Sequence, residues 1–163
     1  MVTNAQIANN FATGIDTYKT ANNMFIDGNT IYSYGYHYPL ATHINDNVVL
    51  INDKGYSNTT AKHINHVRVE TSLKKQYFLT KVQADYFISD TEHDIRKLFK
   101  ARKPQIWLNR LNNRVQHMEQ FIYNFGTPID RFNSQGIKFS DVVIKNKVLK
   151  LINQVKKLNN IYS

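Results

Sequence analysis

Met24-Phe25-Ile26-Asp27-Gly28-Asn29-Thr30-Ile31-Tyr32-Ser33-Tyr34-Gly35-Tyr36-His37-Tyr38 decides the fold class. Short β-branched and aromatic runs broken by Gly, Asn and Asp read as strands, here Met24–Ile26 and Thr30–Tyr36. Asp27-Gly28-Asn29 has the residue types of a tight hairpin turn. Every even position from Tyr32 to Tyr38 is Tyr, so a strand running through them carries one aromatic face until Pro39. Val48–Ile51 reads as a further strand and Asp53-Lys54-Gly55 as a second hairpin turn. Residues 22–51 are therefore expected to form an antiparallel meander.

Helical signals flank this block. Thr3 is suited to cap a short helix, Asn4–Phe11, closed near Gly14. Asn58-Thr59-Thr60 offers caps for Ala61–Val69, in which Ile64 and Val67 pack one way and Lys62, His63 and His66 lie off that stripe. After Thr71 the pattern turns helical. Leu73–Ile88 is mixed in period; Ser89-Asp90-Thr91 reads as the cap of Glu92–Lys103, with Ile95, Leu98 and Phe99 as its apolar stripe. Leu108, Leu111, Val115, Met118, Ile122 and Phe125 step alternately by three and four, the seam of a long amphipathic helix ended by Gly126 and Pro128. A loop through Gly136 leads to the cap Ser140-Asp141 and a final helix built on Val148, Leu151, Ile152, Val155 and Leu158. The fold class is α+β. Residues 1–71 are expected to form a small antiparallel sheet with short helices, and residues 72–163 a basic helical lobe.

With 163 residues, 42% of them hydrophobic, the chain has core material for one compact domain or two small lobes. Cysteine is absent, which excludes disulfide scaffolds, thiolate zinc sites, iron–sulfur clusters and cysteine nucleophiles. No stretch approaches the ~20 apolar residues that span a bilayer, and MVTNAQIANN lacks the pattern of a secretion signal. We expect no membrane association and a cytoplasmic location. Residues 1–72 carry four Lys/Arg against five Asp/Glu, a net of −1, whereas residues 73–163 carry 17 against 7, a net of +10. A lobe so charged attracts phosphate backbones, acidic protein surfaces or anionic lipid heads.

Catalytic and metal chemistry find little purchase. His63 and His66 are three apart on a helix, yet Asp46, Asp53 and Glu70 complete no metal spacing. Only three Glu occur, and Asp90, Glu92 and Asp94 read as helix N-terminal acids favoured by the dipole. No nucleophile elbow, phosphate loop or dinucleotide motif is present. No cofactor, metal or enzymatic turnover is expected. The cations are more informative: Arg96, Lys97, Lys100, Arg102 and Lys103 put five in eight residues, and Arg110 and Arg114 follow beside Trp107. Such a strip suits a sugar–phosphate backbone, with Trp107 either a base-stacking platform or a core anchor. Ile95, Leu98, Phe99, Leu108, Leu111 and Val115 fill the buried faces, so the cations are expected on the remaining, solvated ones, and replacing Lys97, Lys100 and Arg114 together by Ala is expected to leave stability nearly unchanged.

Two blocks, Asn23 to Ala41 and Val49-Leu50-Ile51-Asn52-Asp53-Lys54-Gly55-Tyr56-Ser57-Asn58-Thr59-Thr60-Ala61-Lys62-His63, resemble a small domain of unknown function that recurs in proteins of phages and other mobile elements. The resemblance spans residues 11–70. It implies a mobile-element origin and, with the basic lobe, an inhibitor of a host defence in the bacterial cytoplasm. An anti-CRISPR protein that binds a Cas nuclease or its guide RNA without catalysis is the leading form of that implication. A DNA mimic should be acidic, so mimicry is disfavoured. The alternatives are a sequence-tolerant DNA- or RNA-binding accessory protein and, more distantly, a nucleic-acid hydrolase. Tyr34, His37, Lys62 and His63 are the candidate contacts of the first lobe.

Overall fold

A computed structural model describes residues 2–14, 21, 23–55 and 57–162. Asn22 and Tyr56, which belong to the β-rich pattern and the second block above, lie outside the described residues. The chain divides into two compact units, Met1–Leu79 with Phe132–Ile137 and Thr80–Arg131 with Lys138–Ser163. Both α and β elements are present, and the α+β class holds.

In the first unit, Thr3 closes a capping box with Gln6 at the start of α1 (Asn4–Thr13), and Gly14 ends it in the left-handed region at φ 74°. Strands β1 (Met24–Asp27) and β2 (Thr30–Ser33) pair antiparallel around Gly28-Asn29. Gly28 has φ 61°, the backbone that the first central residue of such a two-residue turn requires. The expected strand to Tyr36 stops early. Tyr34 takes φ 64°, its N–H donates to the Asn23 carbonyl, and the Ser33 N–H donates to Tyr38 across the bend. The alternating tyrosine face is thereby broken: Tyr32 is buried, while Tyr34 and Tyr36 are exposed. Tyr36 folds back edge-on to Phe25 and Tyr32 and donates its hydroxyl hydrogen to Asp27 at 2.8 Å.

The chain returns as β3 (Pro39–Asn45), a strand the sequence pattern did not reveal, and turns at Asp46-Asn47 into β4 (Val48–Ile51). Asp53-Lys54-Gly55 is not a hairpin turn; it leads into α2 (Asn58–Glu70), capped by Ser57. That helix crosses over to β5 (Lys75–Phe78), which pairs parallel to β4 and completes a sheet ordered β1-β2-β3-β4-β5. Lys75–Phe78 falls in the stretch whose mixed period assigns no element, at the start of the expected helical lobe. Its partner is far away in sequence, so nothing local announces the edge strand. Ile7, Phe11, Met24, Ile31, Leu40, Val49, Ile51 and Val67 join α1, α2 and the sheet in one core.

The second unit begins with a single turn, α3 (Leu79–Val82), then α4 (Ala84–Lys100). The mixed period of Leu73–Ile88 thus has a cause: strand, turn and helix share it. Ser89-Asp90-Thr91 is no cap but lies inside α4. Pro104 opens α5 (Pro104–Phe125) at the position where its missing N–H costs nothing, and Gly126 closes it at φ 83°. The expected loop contains a hairpin, β6 (Ile129–Asn133) and β7 (Gly136–Phe139), of which Phe132–Ile137 belong to the first unit. The Asp141 carboxylate accepts from the Ile144 N–H at 2.9 Å at the head of α6 (Val142–Tyr162). Leu98, Leu108, Leu111, Val115, Met118, Val148, Ile152, Val155 and Leu158 form the helical core, and Lys147, Lys150 and Lys157 face away from it.

Candidate nucleic-acid interface

α4 and α5 form a hairpin of helices around the elbow Ala101-Arg102-Lys103. On α4, His93, Lys97 and Lys100 step by four and three and share a face. From the elbow into α5, Lys103, Trp107, Arg110 and Arg114 step by four, three and four. The two stripes touch at His93 and Trp107. The His93 ring stands edge-on to Trp107 at 6.4 Å, and the Arg110 guanidinium lies 5.1 Å from the Trp107 ring centre.

Asp94 sits under this surface, only 1% exposed, and organises it. Arg114 donates to its Oδ2 at 2.6 Å, Arg110 Nε approaches the same oxygen at 3.6 Å, and His93 Nδ1 lies 3.2 Å from Oδ1. Burial pushes the Asp94 carboxyl pKa up, but the hydrogen bonds from Arg114 and His93 and the charges of Arg114 and Arg110 outweigh it and hold the pKa below its ordinary value. The carboxylate therefore stays ionised.

Three expectations about the strip need correction. Arg114 is buried, so it is a strut between α4 and α5 and not a partner contact. Asp94 is not a helix N-terminal acid, because α4 begins at Ala84 and places it mid-helix on the buried face. Phe99 is 60% exposed. The buried stripe of α4 runs Phe87, Thr91, Asp94, Ile95, Leu98, and Phe99 stands about 100° further round the helix, off that stripe. Arg96, Lys97, Lys100, Arg102, Lys103 and Arg110 are exposed, as a contact surface requires. Trp107 is half-buried and packs against the helical core, so it anchors while offering an edge to the surface.

The first unit's candidates divide. His37 and Lys62 are exposed, but His63 is 2% exposed. Its Nδ1 is 2.6 Å from Ser33 Oγ and its Nε2 3.3 Å from Asn4 Nδ2, with the ring of exposed Tyr34 5.6 Å away. Burial, with a smaller effect of nearby His66, holds the His63 pKa below its ordinary value. A neutral imidazole tying α1, β2 and α2 together is a structural joint. It cannot meet a partner directly. A Cβ at Gly35 would lie 2.9 Å from Nδ1 of the exposed His37 ring, so a larger residue there requires that ring to shift. Among the described residues no group of three or more His, Cys, Asp or Glu side chains is placed to hold a metal ion. No described helix is long and apolar enough to cross a membrane.

A DUF8033 domain is found at residues 5–85. The DUF8033 family is one of unknown function, and its match runs past the expected 11–70 to include β5 and α3. No curated protein and no solved structure matches the chain. The DUF8033 match thus covers the Ser33–His63 joint and stops at Asp85, before the α4–α5 seam.

Proposed function

We propose that the protein is a non-catalytic binder of nucleic acid that holds the phosphate backbone along the α4–α5 seam. The observation that carries this reading is Arg110: 57% exposed, it is nonetheless held by Asp94 and by the Trp107 ring. A guanidinium fixed in this way has already lost part of the side-chain freedom that binding would otherwise cost. Exposed Lys97, Lys100 and Lys103 of the same helical hairpin supply point charges for phosphates. Lys97 and Lys100 also lie in the last turn of α4, where the helix dipole favours cations. That effect accounts for two of the charges, and Asp94 and Trp107 hold Arg110, which leaves Arg96, Arg102 and Lys103 unexplained.

A narrower form of the proposal is an inhibitor carried by a phage or other mobile element, whose strip grips the guide RNA of a host Cas nuclease in the bacterial cytoplasm. The basic surface favours gripping over mimicry of nucleic acid. Fluorescence anisotropy with labelled DNA and RNA across a salt series tests the general reading. Affinity is expected to fall steeply with salt, and Lys97→Ala with Lys100→Ala to reduce the log–log slope by roughly two. Unchanged binding by this folded double variant refutes it. Co-purification with a nuclease complex in preference to free nucleic acid selects the narrower form.

A further inference from the structure

We infer that the elbow between α4 and α5 selects single-stranded over duplex nucleic acid, with Phe99 as a base-stacking platform; this rests on the nucleic-acid reading just given. Phe99 and Ile106, 60% and 58% exposed, stand one on either side of the elbow. Both are surrounded in sequence by exposed cations, Arg96 and Lys100 on α4 and Arg102 and Lys103 at the apex. Two exposed apolar side chains flanking a cationic elbow call for a partner with both anionic groups and flat apolar faces.

A single strand offers that combination, since unpaired bases present their faces to aromatic side chains while phosphates meet Lys and Arg. In a duplex the faces are stacked on each other, and exposing one costs a few kcal/mol per step. An anionic bilayer is the competing partner, and the order of residues argues against it. Arg102 and Lys103 occupy the apex, while Phe99 and Ile106 are set back on either side. Inserting the apolar pair into hydrocarbon would carry the two apical charges in first. Trp107 is half-buried and has Arg110 over its ring, so of the two aromatics flanking the elbow Phe99 is the more accessible.

The test uses the full chain with a labelled oligothymidine, an oligouridine and a duplex of equal length, and sedimentation with phosphatidylserine vesicles. The wild type is expected to bind the single strands at least about tenfold more tightly than the duplex. Phe99→Ala should weaken single-strand binding by about 5- to 140-fold, the range for losing one stacked base, and leave duplex affinity and the salt slope unchanged. Phe99→Trp should retain the preference. Circular dichroism of both variants checks the fold. Equal affinity for single strand and duplex, or no effect of Phe99→Ala, overturns the inference while salt-sensitive binding lost in Lys97→Ala/Lys100→Ala leaves the broader reading standing. Vesicle binding stronger than either nucleic acid overturns it in favour of a membrane partner. Absence of salt-sensitive binding to every oligonucleotide overturns both.

Discussion

Replacing Arg114 with Ala should destabilise the second unit far more than replacing any other cation of the strip. The Arg114 and Asp94 side chains are 6% and 1% exposed and 2.6 Å apart. At an effective dielectric of 20 their attraction is about 6 kcal/mol before the cost of desolvating both charges is set against it. Much of the attraction is cancelled by that cost, but removing one partner leaves the other buried and charged, so the expected loss is ~3–5 kcal/mol. Lys100→Ala removes a solvated charge and should change stability by no more than ~1 kcal/mol. Urea unfolding followed by circular dichroism, with m-values compared, measures both. A double variant, Asp94→Leu with Arg114→Met, should recover most of the loss, because apolar side chains of similar size carry no desolvation debt. The reasoning fails if Arg114→Ala costs less than ~1 kcal/mol at unchanged m, or if the double variant is as unstable as the single one.

Ser33→Ala removes the hydroxyl beside buried His63 Nδ1 at 2.6 Å and should cost ~1–3 kcal/mol, read as a lower urea midpoint; no change would show that the ring nitrogen finds another partner. The pKa of His63 is held down chiefly by burial, and so is that of His43, with nearby Lys74 adding to the effect. In both cases the unfolded chain binds the proton more readily, so the stability due to these groups is present above about pH 6.5 and is lost as pH falls through the unfolded value toward the lower folded one. Unfolding midpoints should drop between pH 7.5 and 5, and His63→Gln should flatten that drop. Asp94 acts in the same sense further down the scale: its pKa is lowered in the folded protein, so its contribution is present above about pH 4 and fades below it, and Asp94→Asn should remove that acid limb from the stability profile.

Where the sequence could be read, the signal was local. Thr3, Gly14, Pro104, Gly126 and Asp141 mark helix ends because capping involves groups within four residues of one another. The seam Leu108, Leu111, Val115 and Met118 is legible because one face of one helix repeats every three or four residues, and all four are buried. The strands around Asp27-Gly28-Asn29 are legible for the same reason, a two-residue turn joining neighbours. Asp94 was misread because its partners Arg110 and Arg114 lie on another helix, 16 and 20 positions on, where no spacing rule applies.

By itself, then, the chain determined its α+β class, the helix ends at Thr3, Gly14, Pro104, Gly126 and Asp141, and the concentration of positive charge after residue 73, since composition and short-range patterns carry all three. Only the tertiary structure decided that Lys75–Phe78 is an edge strand, that the tyrosine alternation breaks at Tyr34, and that His63 and Arg114 are buried joints while Phe99 is bare. Each of these depends on which distant side chain or strand comes to lie alongside, and the free energy of burying or pairing a group there exceeds the weak local preferences that a linear sequence displays.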